Sequence, residues 1–301
     1  MKLVIGINIL FLQLIGLTCL SQVDSSIIPP PIRIYVGNKI IDSTTVRYWD
    51  PKLSYHWTGE DTTTINYYDK INDKDLSELF VSDSMMVSYG GSKFAKIKRC
   101  EFLGFIGNNY QRFYVHFTSI SKNNKGQNEY IVFGKTKVMG TICNFSGVLN
   151  IYKVLLSNFV YNSDHRSGIM NCHIKLYEDS SKLSSGQITG ILSIGFSMDK
   201  EGNVGYCLDG PSIYEAVIGK WTSYKTHQSL ICNWGIDRIP GSYCWGCDIP
   251  SGWEVFDTGA GYFWPNDYIK NNGWDNYRDV FSQDKKLSEQ AIEIENETWW
   301  K

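Results

Sequence analysis

Residues 168–177 read GIMNCHIKLY and residues 187–198 read QITGILSIGFSM. In the first stretch Met170, Cys172, Ile174 and Leu176 alternate with Asn171, His173 and Lys175. In the second, Ile188, Leu192, Ile194, Phe196 and Met198 share one parity, with Gly190 among them. Successive side chains of a strand point to opposite faces, so this period of two predicts strands with one apolar face. The pattern extends in both directions. Upstream, RFYVHFTSI (112–120) sets Phe113, Val115 and Phe117 against Tyr114, His116 and Thr118. KNNKGQN (122–128) is a polar hairpin loop, EYIVFGKTKV (129–138) returns, and CNFSGVLNIYKV (143–154) is a third strand. Downstream, MDKEGN (198–203) is a turn, and VIGKWTSYK (217–225) with SLICNW (229–234) forms a last hairpin around KTHQ. Evenly spaced strands with short polar turns predict a mainly β protein, an antiparallel meander forming either a lipocalin-like barrel or a sandwich. No βαβ rhythm accompanies them, so no parallel sheet is expected.

This β core is expected over residues 100–234, and the flanks read differently. Residues 1–21, MKLVIGINILFLQLIGLTCLS, place one lysine before an apolar run, with Cys19 and Ser21 ahead of Gln22. That is the layout of a signal peptide cleaved after Ser21, which implies an exported protein, periplasmic, cell-surface or secreted. An uncleaved anchor and a lipidated Cys19 are the alternatives; no other segment is apolar enough to span a membrane. Residues 22–99 are irregular, with one helical candidate at NDKDLSELF (72–80), capped by Asn72 or Asp73. Residues 235–285 are rich in Gly, Trp, Tyr and Asp without alternation and read as ordered loops packed on the core. Residues 286–301 read as a helix with Leu287, Ala291 and Ile294 on one side.

Four stretches carry a resemblance: YQRFYVHF, the later FGKTKV, GKWTSYKTHQSLICNWGIDRIP, and DTGAGYFWPNDYIKNNGW with the terminal Trp-Trp. Over about residues 100–301 they are similar to uncharacterised exported proteins of Bacteroidota-type bacteria, a family with no assigned activity to carry over. YCWGCDIPSGWEVF is an insertion relative to that pattern. Separately, Gly219-Lys220-Trp221 is similar to the Gly-x-Trp of lipocalin-like barrels, although there the triplet belongs to the first strand.

Several motifs invite a chemical reading. VFDTGAGYFW (255–264) presents Asp257 as an aspartic protease presents its catalytic residue. Such an enzyme needs two carboxylates sharing a proton. The chain has no second Asp-Thr/Ser-Gly, and only 42 residues follow Gly259, so a glycine-rich turn is expected. After signal cleavage seven cysteines remain: Cys100, Cys143, Cys172, Cys207, Cys232, Cys244 and Cys247. In an oxidising compartment several are expected to pair, with the connectivity open and at least one left over. Cys244-Trp-Gly-Cys247 lies between Pro240 and Pro250, which disfavours the helix of a redox Cys-x-x-Cys. A zinc site from Cys207, Cys232, Cys244 and Cys247 would have one tight pair where zinc ribbons supply two. The five histidines show no ligand spacing, and no Gly-x-Ser-x-Gly elbow is present. No metal and no cofactor is expected.

Eight of the ten tryptophans lie from Trp221 onward, where Asp237, Asp248, Glu254, Asp257, Asp267, Asp275 and Asp279 are also dense. Large flat rings near polar groups suit stacking on sugar faces. The reading is therefore a non-catalytic module binding a glycan or a small amphipathic ligand through Trp245, Trp253, Tyr262, Trp264 and Trp274. The alternatives are a glycan hydrolase using two loop carboxylates and an envelope protein that binds another protein. With 29 basic against 31 acidic residues the chain has no net basic field, so nucleic acid is not expected as a partner.

Overall fold

The computed structural model describes residues 33–36, 39–42, 64–80, 83–88, 93–98, 102–161, 165–207, 214–236, 239–240, 272–280 and 282–301. The chain divides into two compact units, Met1–Tyr48 and Trp49–Lys301. In the first, β1 (Arg33–Val36) and β2 (Lys39–Asp42) form an antiparallel hairpin.

The second unit holds one sheet of 12 strands. Eight of them run round a ring: β6 (Leu103–Ile106), β7 (Gln111–Lys122), β8 (Glu129–Val138), β9 (Thr141–Tyr161), β10 (His165–Glu178), β11 (Gly186–Met198), β13 (Tyr214–Ser223) and β14 (Ser229–Gly235). Each pairs antiparallel with the next, and β14 pairs back onto β6. The expected meander is thus present, with neighbours in the chain as neighbours in the sheet. A short β12 (Val204–Cys207) interrupts it and pairs parallel with β4 (Ser84–Ser88), which continues to β5 (Ala95–Lys98). That two-residue parallel bridge makes the sheet mixed, where the sequence predicts antiparallel pairing only. β3 (Thr64–Asn66) adds to β9.

The period-two residues behave as the pattern requires. Phe113, Val115 and Phe117, then Met170, Cys172, Ile174 and Leu176, then Ile188, Leu192, Ile194, Phe196 and Met198 all join one buried cluster. Ring contacts knit it: Phe117 lies 5.7 Å from Phe145, and Phe113 lies 5.8 Å from Trp234. Burying each such side chain contributes about 1.5–3 kcal/mol. Glycine makes room where two backbones or a large ring come close. A Cβ on Gly134 would sit 2.3 Å from the Phe145 ring, and one on Gly168 would sit 2.3 Å from that of Phe196.

The segment before Cys100 is part of this core. Ile71, Leu76, Leu79 and Phe80 are buried in the same cluster, the Tyr130 hydroxyl accepts a hydrogen bond from the Leu76 N–H (3.1 Å), and Phe80 packs on the Tyr130 ring. The helix expected over 72–80 is a single turn, α1 (Ser77–Phe80). Its first N–H is taken by Asp75 rather than Asn72 or Asp73. Lys122 holds the carbonyls of Asn72 and Lys74, which keeps those residues out of the helix.

At the C-terminus α2 (Asp275–Asp279) forms inside the stretch read as loop, and α3 (Lys285–Glu295) matches the expected helix over most of its length. Asp284 caps α3 by accepting from the N–H groups of Lys286 and Leu287. Of its expected apolar side only Ala291 is buried; Leu287 and Ile294 face solvent. Residues 296–301 leave the helix, because Trp300 stacks on β7 instead. Among the described residues no helix is long and apolar enough to cross a membrane.

Candidate binding surface

Alternation that fills the ring also sends every second side chain of β8, β9 and β10 outward. Register then sets these in rows. Phe133 of β8 is opposite Ser146 of β9, and Ser146 is opposite Tyr177 of β10. The next row runs Ile131, Val148, Lys175, Thr189 and Lys220 across β8, β9, β10, β11 and β13. Phe133 is 48% exposed, Tyr177 40%, Ile131 37% and Tyr152 36%, a contiguous apolar and aromatic patch on an open sheet face. Tyr152 is stacked on His173 with centroids 4.2 Å apart, and the Lys175 ammonium lies 5.3 Å from the Tyr177 ring. Adjacent strands are about 4.8 Å apart, so Phe133 and Tyr177 stand roughly 10 Å from each other with a serine hydroxyl between them.

A second, polar concavity lies at the β7–β8 turn. It measures about 570 Å³ and is lined by Asn72, Asp75, Lys122, Asn123, Gln127 and Asn128 among others. Its groups are largely spent on one another: Lys122 on the Asn72 and Lys74 carbonyls, Asn128 on the Asn72 side chain, Asn123 on Glu129. It ties the lead-in segment to the hairpin.

Of the residues expected to bind, Trp245, Trp253, Tyr262 and Trp264 lie outside the described residues. Trp274 is described, and it is 3% exposed. Its indole N–H donates to the Tyr110 carbonyl (2.7 Å), and the Arg112 guanidinium sits 4.3 Å from its ring. Arg112 also faces the rings of Tyr114 (4.6 Å) and Tyr277 (5.1 Å) and pairs with Glu295 of α3 at 2.9 Å. Burial pushes the Tyr114 hydroxyl pKa up, Arg112 opposing and Glu295 adding to the shift. Farther along β7, His116 is stacked on Trp300 at 3.8 Å. Residues 272–280 and 282–301 therefore form a strap fastened along the outer side of β7, and Trp274 is one of its fasteners.

One end of the ring is closed by Glu178. Its carboxylate accepts from the Trp221 indole (2.8 Å), from the Gly186 N–H (2.8 Å) and from the Thr136 hydroxyl, joining β13, β11 and β8. Trp221 belongs to the Gly-Lys-Trp triplet, so that triplet marks a closed end. Sequence reasoning missed Glu178, which reads there as the start of a polar turn.

Cys143, Cys172 and Cys232 are free and buried. Burial holds the thiols of Cys172 and Cys232 well above their ordinary pKa, and raises that of Cys143 with help from Glu178. Protonated thiols are poor nucleophiles. The side chains of Cys100, Cys207, Cys244 and Cys247 lie outside the described residues, as do Asp237, Asp248, Glu254, Asp257 and Asp267. His165 is buried between Ser88 and Ser197, its Nδ1 3.3 Å from each hydroxyl, with Phe94 stacked over the ring. Among the described residues no carboxylate orients it as a catalytic base would require. No group of three His, Cys, Asp or Glu with metal-binding geometry occurs among them either. Comparison of this chain with protein-family models, with curated proteins and with solved structures finds no match.

Proposed function

We propose that this chain is an exported, non-catalytic glycan-binding module, a filled up-and-down barrel whose ligand lies on the outside of β8, β9 and β10. The ring of eight strands supports the barrel, since that number leaves an interior just wide enough for side chains. Here Phe113, Phe117, Phe145, Leu149, Met170 and Trp234 occupy it at 0–3% exposure. A small amphipathic ligand inside would have to displace them, so the outer face is the better-supported site. The leader-like residues 1–21 support export. The observation that carries the binding reading is the in-register row Phe133–Ser146–Tyr177: two exposed rings on one sheet face flanking a hydroxyl, an arrangement suited to stacking on sugar faces and hydrogen-bonding their edges.

Affinity electrophoresis of the protein through gels containing soluble polysaccharides tests it. Retardation is expected with at least one polysaccharide. The double variant F133A/Y177A is expected to lose about 1–3 kcal/mol of it, roughly 5- to 150-fold in affinity, with its circular dichroism unchanged. Retention of full binding by the double variant would remove the face from consideration.

A further inference from the structure

The same face is basic. Residues 102–236 carry 12 Lys and Arg against 8 Asp and Glu, while the rest of the chain carries 17 against 23. The near-neutral total thus hides a separation of charge. Lys135, Lys153 and Lys175 occupy outward positions on β8, β9 and β10, and Lys220 shares the row of Lys175 two strands on. Among the described residues none of the four forms an ion pair. Two carboxylates lie at the edges of the face, each hydrogen-bonded to a neutral donor. Glu129 accepts from Asn123, and Asp179 accepts from the Ser181 N–H, which holds its pKa below the usual range. Four ammonium groups around exposed rings outnumber these two carboxylates, which leaves a net positive field on the face.

We propose that this face binds an acidic polysaccharide, one built from uronic acids, with sugar rings on Phe133 and Tyr177 and carboxylates on Lys135, Lys153, Lys175 and Lys220. The inference rests on the glycan reading above and adds the charge of the ligand. The spacing selects the class. Lys175 and Lys220 are two strands apart, about 10 Å, as are Lys135 and the strand of Lys175. Such a sparse array suits one monoanion every sugar or two better than a phosphate on every unit. Every cation of the array is a lysine, a point charge, and none is the arginine fork favoured for phosphate and nucleic acid. Ser119, Ser146, Asn144, Gln187 and Thr222 lie outward on the same face and offer hydroxyls and amides to a polyol.

The test compares four polymers of matched length by titration calorimetry on the full chain: polygalacturonate, its fully methyl-esterified form, a neutral glucan and single-stranded DNA. Polygalacturonate is expected to bind at least tenfold tighter than the ester, and that margin should shrink as salt is raised from 50 to 300 mM. The variant K135Q/K153Q/K175Q/K220Q, whose changes are all on the surface, should bind acid and ester alike. Equal binding of acid and ester by the native chain overturns the charge selectivity and leaves the glycan face standing. Binding of none of the polymers, with circular dichroism intact, overturns both readings. Tighter binding to single-stranded DNA than to polygalacturonate overturns the sugar as occupant.

Discussion

Glu178 shows what a single side chain does in this fold. Three donors from three strands converge on its carboxylate at a buried end of the ring. Truncation leaves the Gly186 N–H, the Trp221 indole and the Thr136 hydroxyl without an acceptor, and each orphaned group costs about 1–3 kcal/mol. Glu178→Ala is therefore expected to lower unfolding stability by roughly 3–6 kcal/mol in a urea titration, and Glu178→Gln, which keeps two acceptor positions on one oxygen, by about half of that. A loss below about 1 kcal/mol in Glu178→Ala would mean that water replaces the carboxylate and that this end is open. Trp221 was legible as part of a triplet, whereas Glu178 was not. A carboxylate after Tyr177 and before Asp179 looks like any solvated turn, and only the meeting of β8, β11 and β13 gives it partners. Trp274 shows the converse. A tryptophan that fastens and one that binds are the same letter, and its neighbour Arg112 is 162 positions away.

Among elements, the strands were readable because one buried face imposes period two, and α3 because its apolar spacing is local. The turn between β8 and β9 was not readable. Met139 and Gly140 both take positive φ (47° and 82°), a type I′ geometry normally announced by Asn-Gly. The strap was equally hidden, since its contacts, to β6, β7, the turn between them and Lys137 of β8, are far away in sequence. Its central joint is the Arg112–Glu295 pair, with side chains 3% and 15% exposed. Removing one partner of such a pair strands the other charge, at a cost of about 3–5 kcal/mol. Glu295→Ala should accordingly fall in Tm and release the strap, read as proteolysis near α3 that the native chain resists. Trp300→Ala, which uncovers His116, should cost less and speed the same cleavage. If Glu295→Ala melts with the native chain and resists protease equally, the strap is held by its aromatic contacts alone.

For the whole molecule, what the sequence could not announce were the long-range pairings. Ring closure depends on β6 meeting β14, through Gly104 with Trp234 and Ile106 with Cys232, and nothing local marks either strand for the other. The share of residues 64–88 in the core was hidden likewise, because their apolar residues follow no period. Charge separation was present in the letters but averaged away by counting the whole chain.

Global stability also carries a pH signature. Cys172 and Cys232 have thiols whose native pKa is pushed well above the ordinary 9.0, and burial pushes the Tyr130 hydroxyl from 10.0 to about 12. Each stays protonated in the folded state while the unfolded chain ionises. Their contribution is complete below pH 9 and is lost as pH rises, first through the thiols and then between pH 10 and about 12 through Tyr130. Urea midpoints should be level for these groups up to about pH 9 and decline above it. The decline should start later in the C172A/C232A variant, and an unchanged onset there would assign the alkaline loss to other groups.

The strap has a mechanical consequence. Trp274 packs with Leu103 and Phe105 of β6 and with Arg112 of β7, and Trp300 stacks on His116 of β7. These two strands are the first to enter the ring, and β6 is also half of the seam that shuts it. Chain end and chain closure are thus fastened at one place. A force drawn from Lys301 would strip the Trp299–Trp300 pair and α3 one contact at a time, a low-force peel, before loading the β6–β14 ladder. That ladder is short, with four registered pairs. Once the clasp is gone, the ring would part beside β6, whose ladders to β14 and β7 have four and two registered pairs, rather than through the long β9–β10 and β10–β11 ladders opposite. The last thirty residues, which add little to the core, set the order in which the molecule comes apart.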